Sequence, residues 1–484
     1  MPVTVNPIEF GTDGWRGVIA ADFTFERLSA IAPLAAKILA DHYGTIADGP
    51  LVIVGYDRRF MAEEFAQVAA EAVQAAGFDV RLAQNHAPTP AFSWAAKDQK
   101  ALGALVITAS HNPAQYLGLK VKGGFGGSVS PELTKQIEAL LPDSGETTPS
   151  QRDHSGSWET FDPWLSYCEG LRSQVKIASI TEAIASGKLT VYADVMHGAA
   201  ASGLSRLLGS EVTEIRSARD PLFSGNAPEP LPQHLSQLCR TIRTEARTQP
   251  EGLRVGLVFD GDSDRIAAVD GKGNFLSSQV LIPILIDHLA NRRGLTGEVV
   301  KTVSGSDLIP RLAELSQLLV HETPIGYKHI ADRMLTTQVL IGGEESGGIG
   351  YGTHIPERDA LLSALYLLEA IVDSGQDLSA LYAQIQQKAD FYFAYNRLDL
   401  PLANHSAKGK LLERLQTQPL QEIAQQPVRD RLTIDGYKFR LADGSWLLIR
   451  FSGTEPLLRL YCEAPTQAQV HQILAWAKDW ASSV

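Results

Sequence analysis

The sequence predicts an α/β protein of three similar mixed-sheet units followed by a smaller C-terminal unit of different character, and three observations carry that reading. The chain has 484 residues, more than the roughly 250–300 that one hydrophobic core supports. A strand-turn-helix start recurs three times, at residues 51–55, 189–194 and 298–303. Each start is followed by a helical stretch and a proline-bearing segment (Pro88 and Pro90, Pro228 and Pro230, Pro324), then by a third apolar strand that ends in a loop of small and charged residues. Alternating strands and helices predict sheets covered on both faces, with ligands at the carboxyl ends of the strands. Units grouped around a central cleft would bring the three loops to one centre.

The first loop, Thr-Ala-Ser-His-Asn-Pro at 108–113, follows the apolar run 101–107. A hydroxyl leaving a buried strand beside a histidine is placed to act as nucleophile or phosphoryl carrier, which makes Ser110 and His111 candidates. Read alone, the loop fits equally an ordinary turn in which Ser110 and Asn112 cap a helix.

The second loop, Asp-Gly-Asp-Ser-Asp-Arg at 260–265, follows the run 255–259. Asp260, Asp262 and Asp264 alternate, so they converge on one cation only if the backbone bends sharply, and Gly261 is the residue expected to bend. A compact all-oxygen loop favours Mg²⁺. A calcium-binding hand needs glycine at its sixth position and glutamate at its twelfth; those places hold Arg265 and Gly271. A solvated acidic turn is the remaining alternative.

The third loop, Gly-Gly-Glu-Glu-Ser-Gly-Gly at 342–348, follows Val339, Leu340 and Ile341. Its glycines allow close approach of the backbone to a ligand, while Glu344 and Ser346 can bind neighbouring hydroxyls. It lacks the Gly-Lys-Ser/Thr of a phosphate-cradling P-loop. From about residue 390 the character changes. A strand at 447–451 runs through Arg450 into Ser452, Gly453 and Thr454, Arg459 lies on a second strand at 457–461, and 467–480 reads as a closing amphipathic helix. Arginine with hydroxyls and backbone N–H groups suits a phosphate.

Composition excludes several classes. Apolar residues make up 44% and charged residues 20% of the chain, as in ordinary soluble proteins. A net charge of −12 argues against a nucleic-acid surface. Cys168, Cys239 and Cys462 have no zinc spacing and read as reduced thiols. No apolar run approaches ~18–20 residues and the first residues show no basic-then-apolar leader, so the expectation is a cytoplasmic protein without membrane contact. The polar segment 142–163 reads as a linker between the first two units.

Six motifs in order give the chain its resemblance to the α-D-phosphohexomutase family, the phosphoglucomutase/phosphomannomutase enzymes: GTDGWRG (11–17), TASHNP (108–113), DGDSDR (260–265), TPIGYK (323–328), GEESGG (343–348) and RFSGTEP (450–456). The resemblance implies three mixed-sheet α/β domains (1–165, 166–275, 276–389) around a cleft and a TBP-like α+β domain (390–484). It implies that Ser110 carries a phosphoryl group, that Asp260, Asp262 and Asp264 hold Mg²⁺ together with the phosphoserine, and that Arg265 and Arg16 lie at the transferring group. Lys328, Glu344 and Ser346 would bind the sugar phosphate, and Arg450, Ser452, Gly453, Thr454 and Arg459 the phosphate that is not reacting.

The implied reaction interconverts hexose 1- and 6-phosphates through a hexose 1,6-bisphosphate, which serves as intermediate or activator. Release of that bisphosphate would make the protein a hexose 1,6-bisphosphate synthase instead, and an inactive sugar-phosphate-binding paralogue is the remaining alternative. Lys120 is kept from the family's Asn-Gly-x-Lys, although Leu117 replaces the asparagine; it is a candidate general base or a phosphate counter-ion. Gly348 stands where many relatives end this loop in histidine. Glu345, where glucosamine-type members tend to carry Gln, leans the chain to glucose phosphates, with mannose phosphates next. The expected assembly is a monomer or homodimer.

Overall fold

A computed structural model describes residues 6–45, 47–141, 156–402, 405–452 and 457–483. One wiring scheme recurs in its first three sheets. In the first, strand Leu51–Tyr56 pairs in parallel with Asp79–Ala83 on one side and Gly103–Ile107 on the other, and Tyr116–Gly123 returns antiparallel beside Gly103–Ile107. In the second, Leu189–Asp194 lies between Thr213–Ile215 and Leu253–Phe259, with Ile266–Val269 returning antiparallel. In the third, Glu298–Thr302 lies between Val320–Thr323 and Val339–Gly343, with Ile349–Tyr351 returning. Each special loop therefore connects the third strand to the antiparallel return. Strands buried on both faces need no alternation of polar residues, and Gly103–Ile107 is buried throughout.

Additions distinguish the units. The turn and strand that carry GTDGWRG, Phe10–Gly11 and Gly14–Val18, extend the first sheet beyond Tyr116–Gly123. At its other edge Trp158–Phe161 pairs in parallel with Asp79–Ala83. The expected linker at 142–163 is thus corrected in its last part: Trp158, Thr160 and their neighbours make a strand, four residues being too few for periodicity to declare one. Residues 142–155 lie outside the described residues. The fourth sheet is antiparallel, six strands from Ala394–Pro401 to Trp446–Phe451 and Leu457–Ala464. One face packs under helices His405–Thr417 and Gln467–Ser482. The other sets Trp446, Leu448 and Tyr461 against Val303 and Ile325 of the third unit.

The first three units share one continuous core. Its axle is helix Ala360–Ser374, whose residues are all buried from Ala360 to Ile371. Asp359 caps it by accepting from Leu362 N and also accepts from the Tyr167 hydroxyl at 2.9 Å. The residue just before that cap, Arg358, is delivered into the cleft.

The seam between the first and second units is rich in arginine. His86 sits there half-buried, its Nε2 unpartnered. Burial, together with the nearby Arg58, Arg206 and Arg219, pushes its pKa down to about 4. The folded protein therefore holds His86 neutral where the unfolded chain takes a proton, so stability is present above the ordinary histidine value near 6.5 and is lost as pH falls toward 4. Denaturant unfolding between pH 7 and pH 4 should show a loss of up to about 3 kcal/mol from this group. His86→Gln should flatten that part of the profile, and an unchanged slope would remove His86 as its source.

Candidate active site

Strand Gly103–Ile107 ends in Thr108, and the chain turns so sharply that Ser110 adopts φ 50°. A non-glycine residue in the left-handed region is held there by its surroundings. Ser110 is fully buried. Its Oγ donates to Asp260 Oδ2 at 3.1 Å and lies 3.2 Å from His111 Nδ1. Burial, then the cations of Arg265 and Arg16, push the His111 imidazole well below its ordinary pKa, so it is neutral.

The aspartate loop bends, but not at Gly261. Ser263 carries the left-handed conformation, φ 60°. Gly261 is required for close approach instead, because a Cβ there would run into the carbonyl oxygen of Ser110 and the ring of Pro228. The two loops are thus pressed backbone to backbone. Carboxylate oxygens of Asp260, Asp262 and Asp264 lie within 4.8 Å of one another, all buried. Asp260 Oδ1 accepts from the N–H groups of Asp264 and Arg265 at 3.0 and 3.1 Å. Asp262 Oδ2 accepts from Thr89 Oγ1 at 2.5 Å and Lys120 Nζ at 2.7 Å. Asp264 Oδ2 accepts from Lys120 Nζ at 2.9 Å and Arg358 Nη2 at 2.7 Å.

What is left over makes a candidate cation site. Asp262 Oδ1 and Asp264 Oδ1 are buried without a hydrogen-bond partner, a costly state for a carboxylate oxygen unless an ion takes it. Burial, then the charges of Asp264 and Asp262, push Asp260 well above the usual carboxylate range. A bound cation would reverse that repulsion. The donor set is all oxygen, which suits a hard divalent ion.

Lys120 is buried on strand Tyr116–Gly123 with Nζ 2.6 Å from Asp13 Oδ2, besides Asp262 and Asp264. Burial works against its charge, but the three carboxylates raise its pKa. In this arrangement it is a protonated counter-ion. Arg358 reaches Asp13 Oδ2 at 2.8 Å and comes within 3.7 Å of Glu344 Oε2. Although burial pushes the other way, Arg358, Lys120, Lys122 and Arg16 hold Asp13 well below the usual range. Arg16 donates to Asn112 Oδ1 at 2.5 Å, tying GTDGWRG to the serine loop.

The third loop, at 342–348, joins by backbone. Ile266 N donates to Gly347 O at 3.0 Å, and Gly347 has φ 99°. Arg265 pairs with Gly348 as an isolated bridge, its Nε buried and 3.8 Å from Asp264 Oδ1. Glu344 is buried and accepts from Gly326 N at 3.1 Å, next to Lys328 of the TPIGYK turn. Ser346 and Lys328 are half-buried. In the fourth unit, Arg450 and Arg459 are direct cross-strand partners. Like charges so paired repel unless an anion joins them. Arg450 Nε donates to Asp435 Oδ2 at 2.9 Å, and the same oxygen accepts from Ile325 N at 3.1 Å. Arg459 Nε is buried without a partner. Ser452 O accepts from Lys408 Nζ at 2.7 Å. Gly453 and Thr454 lie outside the described residues.

This arrangement has counterparts. Models of the phosphoglucomutase/phosphomannomutase family match all four units: alpha/beta/alpha domain I over residues 7–147, domain II over 166–273, domain III over 277–389 and the C-terminal domain over 404–477. The chain belongs to this family. It is similar to a probable phosphoglucosamine mutase of Methanothermobacter thermautotrophicus, 31% identical with 99% of each chain covered. It is also similar to a phosphoglucomutase/phosphomannomutase of Thermococcus kodakarensis, 28% identical with 96% of each covered. Among solved structures, a candidate phosphomannomutase from Thermus thermophilus superposes with a TM-score of 0.84 at 34% identity, covering 99% of this chain and 100% of that one.

The sequence alone did not single out Asp13, Thr89 or Arg358. Asp13 sat inside GTDGWRG and Arg358 outside every quoted motif, and neither carried a spacing that marked them as partners across 345 positions. Thr89 stood between two noted prolines, and nothing local pointed it at Asp262.

The cation site predicts a metal-dependent stability increment. Mg²⁺ at a hundred times its dissociation constant should raise unfolding stability by about 2.7 kcal/mol. In Asp262→Asn that increment should fall below about 1 kcal/mol at the same concentration. Thermal unfolding with and without Mg²⁺ measures both, and an equal increment in the two proteins would contradict the assignment.

Proposed function

We propose that the protein interconverts glucose 1-phosphate and glucose 6-phosphate, with phospho-Ser110 as carrier and glucose 1,6-bisphosphate as intermediate. The observation that supports this most directly is the buried Ser110 hydroxyl, 3.1 Å from Asp260, at the rim of a three-aspartate cluster with unpartnered oxygens. Phosphoryl transfer proceeds through a loose transition state, so positioning and charge neutralisation do most of the catalysis. Asp260, Asp262 and Asp264, with the phosphoserine, would hold Mg²⁺, which would supply charge neutralisation at the transferring group. Arg265 and Arg16 flank the same centre.

The chemistry runs in two halves. The phosphoryl group leaves Ser110 Oγ for O6 of glucose 1-phosphate, and the O6 proton passes to a group at the centre, with the neutral His111 imidazole, 3.2 Å from Ser110 Oγ, placed for it. The bisphosphate then turns over, its C1 phosphoryl returns to Ser110 Oγ, and the freed O1 regains a proton. Turnover needs a clamp indifferent to which phosphate it holds, and Arg450 with Arg459 offers charge without directional selectivity. Glu344 and Ser346 read the hydroxyls between. Glu345, ion-paired with Arg397 at 3.3 Å, favours glucose phosphates over the glucosamine phosphates of relatives so named, with mannose phosphates next.

Phosphorus NMR of glucose 1-phosphate with catalytic glucose 1,6-bisphosphate should show glucose 6-phosphate as the main product, and slower conversion of mannose 1-phosphate and glucosamine 1-phosphate. Accumulation of bisphosphate from a bisphosphate donor would instead mark a synthase. Arg450→Ala removes a charge-assisted contact of about 1.5–3 kcal/mol. It should lower kcat/KM roughly 10–100-fold and raise the ratio of released bisphosphate to isomerised monophosphate. If neither rate nor ratio changes, the clamp assignment fails.

A further inference from the structure

Arg59 lies outside every motif named above, yet it is fully buried directly beneath the serine loop. It follows strand Leu51–Tyr56, which pairs in parallel with Gly103–Ile107, so it leaves the sheet at the same edge as Ser110. Its guanidinium spends four contacts on that one loop. Nη2 donates to the carbonyls of Ser110 at 2.6 Å and Asn112 at 2.5 Å. Nη1 donates to the carbonyls of Pro113 at 3.0 Å and Tyr116 at 3.1 Å. A guanidinium that grips four carbonyls of one short loop fixes the path of that segment. Few other side chains offer so many donors in one rigid plane.

The fork is itself held. Asp57 Oδ1 accepts from Arg59 N at 2.9 Å, and Asp57 Oδ2 lies 3.5 Å from Arg59 Nε. The same Oδ2 accepts from the Thr108 hydroxyl at 2.6 Å, and Thr108 Oγ1 accepts in turn from Ser110 N at 2.9 Å. The peptide groups on both sides of the Ser110 Cα are therefore fastened to one Asp57–Arg59 pair, through Thr108 on the amide side and directly on the carbonyl side. The second unit closes the space behind: the Phe223 ring lies 4.9 Å from the Arg59 guanidinium carbon, and Arg219 donates to Arg59 O at 3.1 Å. Ser110 sits in a left-handed conformation that a serine does not adopt unaided, and this clamp is what holds it.

We propose that Arg59 is a positioning residue for phosphoryl transfer: by forking onto the Ser110, Asn112, Pro113 and Tyr116 carbonyls it fixes the Ser110 hydroxyl against the aspartate cluster. Its described hydrogen bonds go to backbone carbonyls, and its ion pair to Asp57, not to the Ser110 hydroxyl or the aspartate cluster, so its effect is on the geometry of transfer and not on sugar binding. The inference rests on the reading of Ser110 as phosphoryl carrier. A misplacement of the carrier by about 1 Å costs on the order of a hundredfold in rate.

Two variants separate geometry from charge and from folding. Arg59→Lys keeps the positive charge opposite Asp57 but offers one nitrogen in place of a fork; Arg59→Gln keeps a planar donor without charge. Each is assayed for kcat and KM with glucose 1-phosphate, for melting temperature, and for amide hydrogen exchange over residues 108–116. The expected result for Arg59→Lys is a kcat about 100-fold below wild type with KM within threefold, a melting temperature within a few degrees, and faster exchange confined to 108–116. Arg59→Gln should behave the same way or worse.

Near-wild-type kcat in Arg59→Lys would overturn the proposal, because charge alone would then suffice. A melting temperature lowered by more than ten degrees in both variants would overturn it too, assigning Arg59 to stability alone. The exchange measurement stands apart from catalysis. Unchanged exchange over 108–116 sinks the positioning role even if activity falls. Faster local exchange in a protein whose wild type carries no phosphate on Ser110 would instead retire the carrier reading and leave the loop clamp in place.

Discussion

The cleft depends on a buried cluster of opposite charges. Lys120 Nζ lies within 2.9 Å of carboxylates from Asp13, Asp262 and Asp264, and Arg358 Nη2 bridges two of the same three. These residues come from the N-terminal turn, the first sheet, the second unit and the third. Moving such charges out of water costs several kcal/mol apiece, and their mutual attraction recovers it only with close geometry and full pairing. None of the units can bury its own share alone. Assembly of the three units and compensation of the charges are therefore one event, and the site exists only where the units meet. Removing one partner would leave a buried charge unpaired, which typically costs about 3–5 kcal/mol.

The threefold wiring explains why function gathers at one place. In each unit the special loop links the third strand to an antiparallel return, and in the first two the loop after the central strand braces it from below. In the first unit that brace is Asp57 and Arg59. In the second, Ala199 N donates to Gly261 O at 2.9 Å, and Gly198 has no room for a Cβ against the same carbonyl. The scaffold repeats while the side chains diverge: a hydroxyl in one loop, three carboxylates in the next, Glu344 and Ser346 in the third. The fourth unit shares none of this wiring. It brings two cross-strand arginines, and its face of Trp446, Leu448 and Tyr461 docks it on the third unit.

Much of this was legible in the sequence because the signals were local. The runs before Ser110, Asp260 and Gly342 became strands Gly103–Ile107, Leu253–Phe259 and Val339–Gly343, since apolar stretches bounded by turn residues leave little choice. The closing helix at Gln467–Ser482 followed its periodicity. Other features resisted for physical reasons. The strand Trp158–Phe161 is set by pairing with Asp79–Ala83 and not by its own pattern. The bend at Ser263 instead of Gly261 arises because Gly261 is consumed by contact with Ser110. Arg59, Thr89 and Arg358 act across 51, 173 and 94 positions respectively, and no spacing rule reaches that far. Lys120, Asp262 and Asp264 were visible, but the contacts with Asp13, Asp262 and Asp264 that keep the lysine protonated were not.

The account stands or falls on where the phosphate resides during turnover. The direct measurement is intact mass and peptide mapping after incubation with glucose 1,6-bisphosphate and Mg²⁺. The predicted result is a single phosphate on Ser110, stable in acid as a serine ester is, and absent from Ser110→Ala. An acid-labile acyl phosphate on Asp260 or Asp262, or a protein that turns over substrate with no phosphate on Ser110, would contradict it.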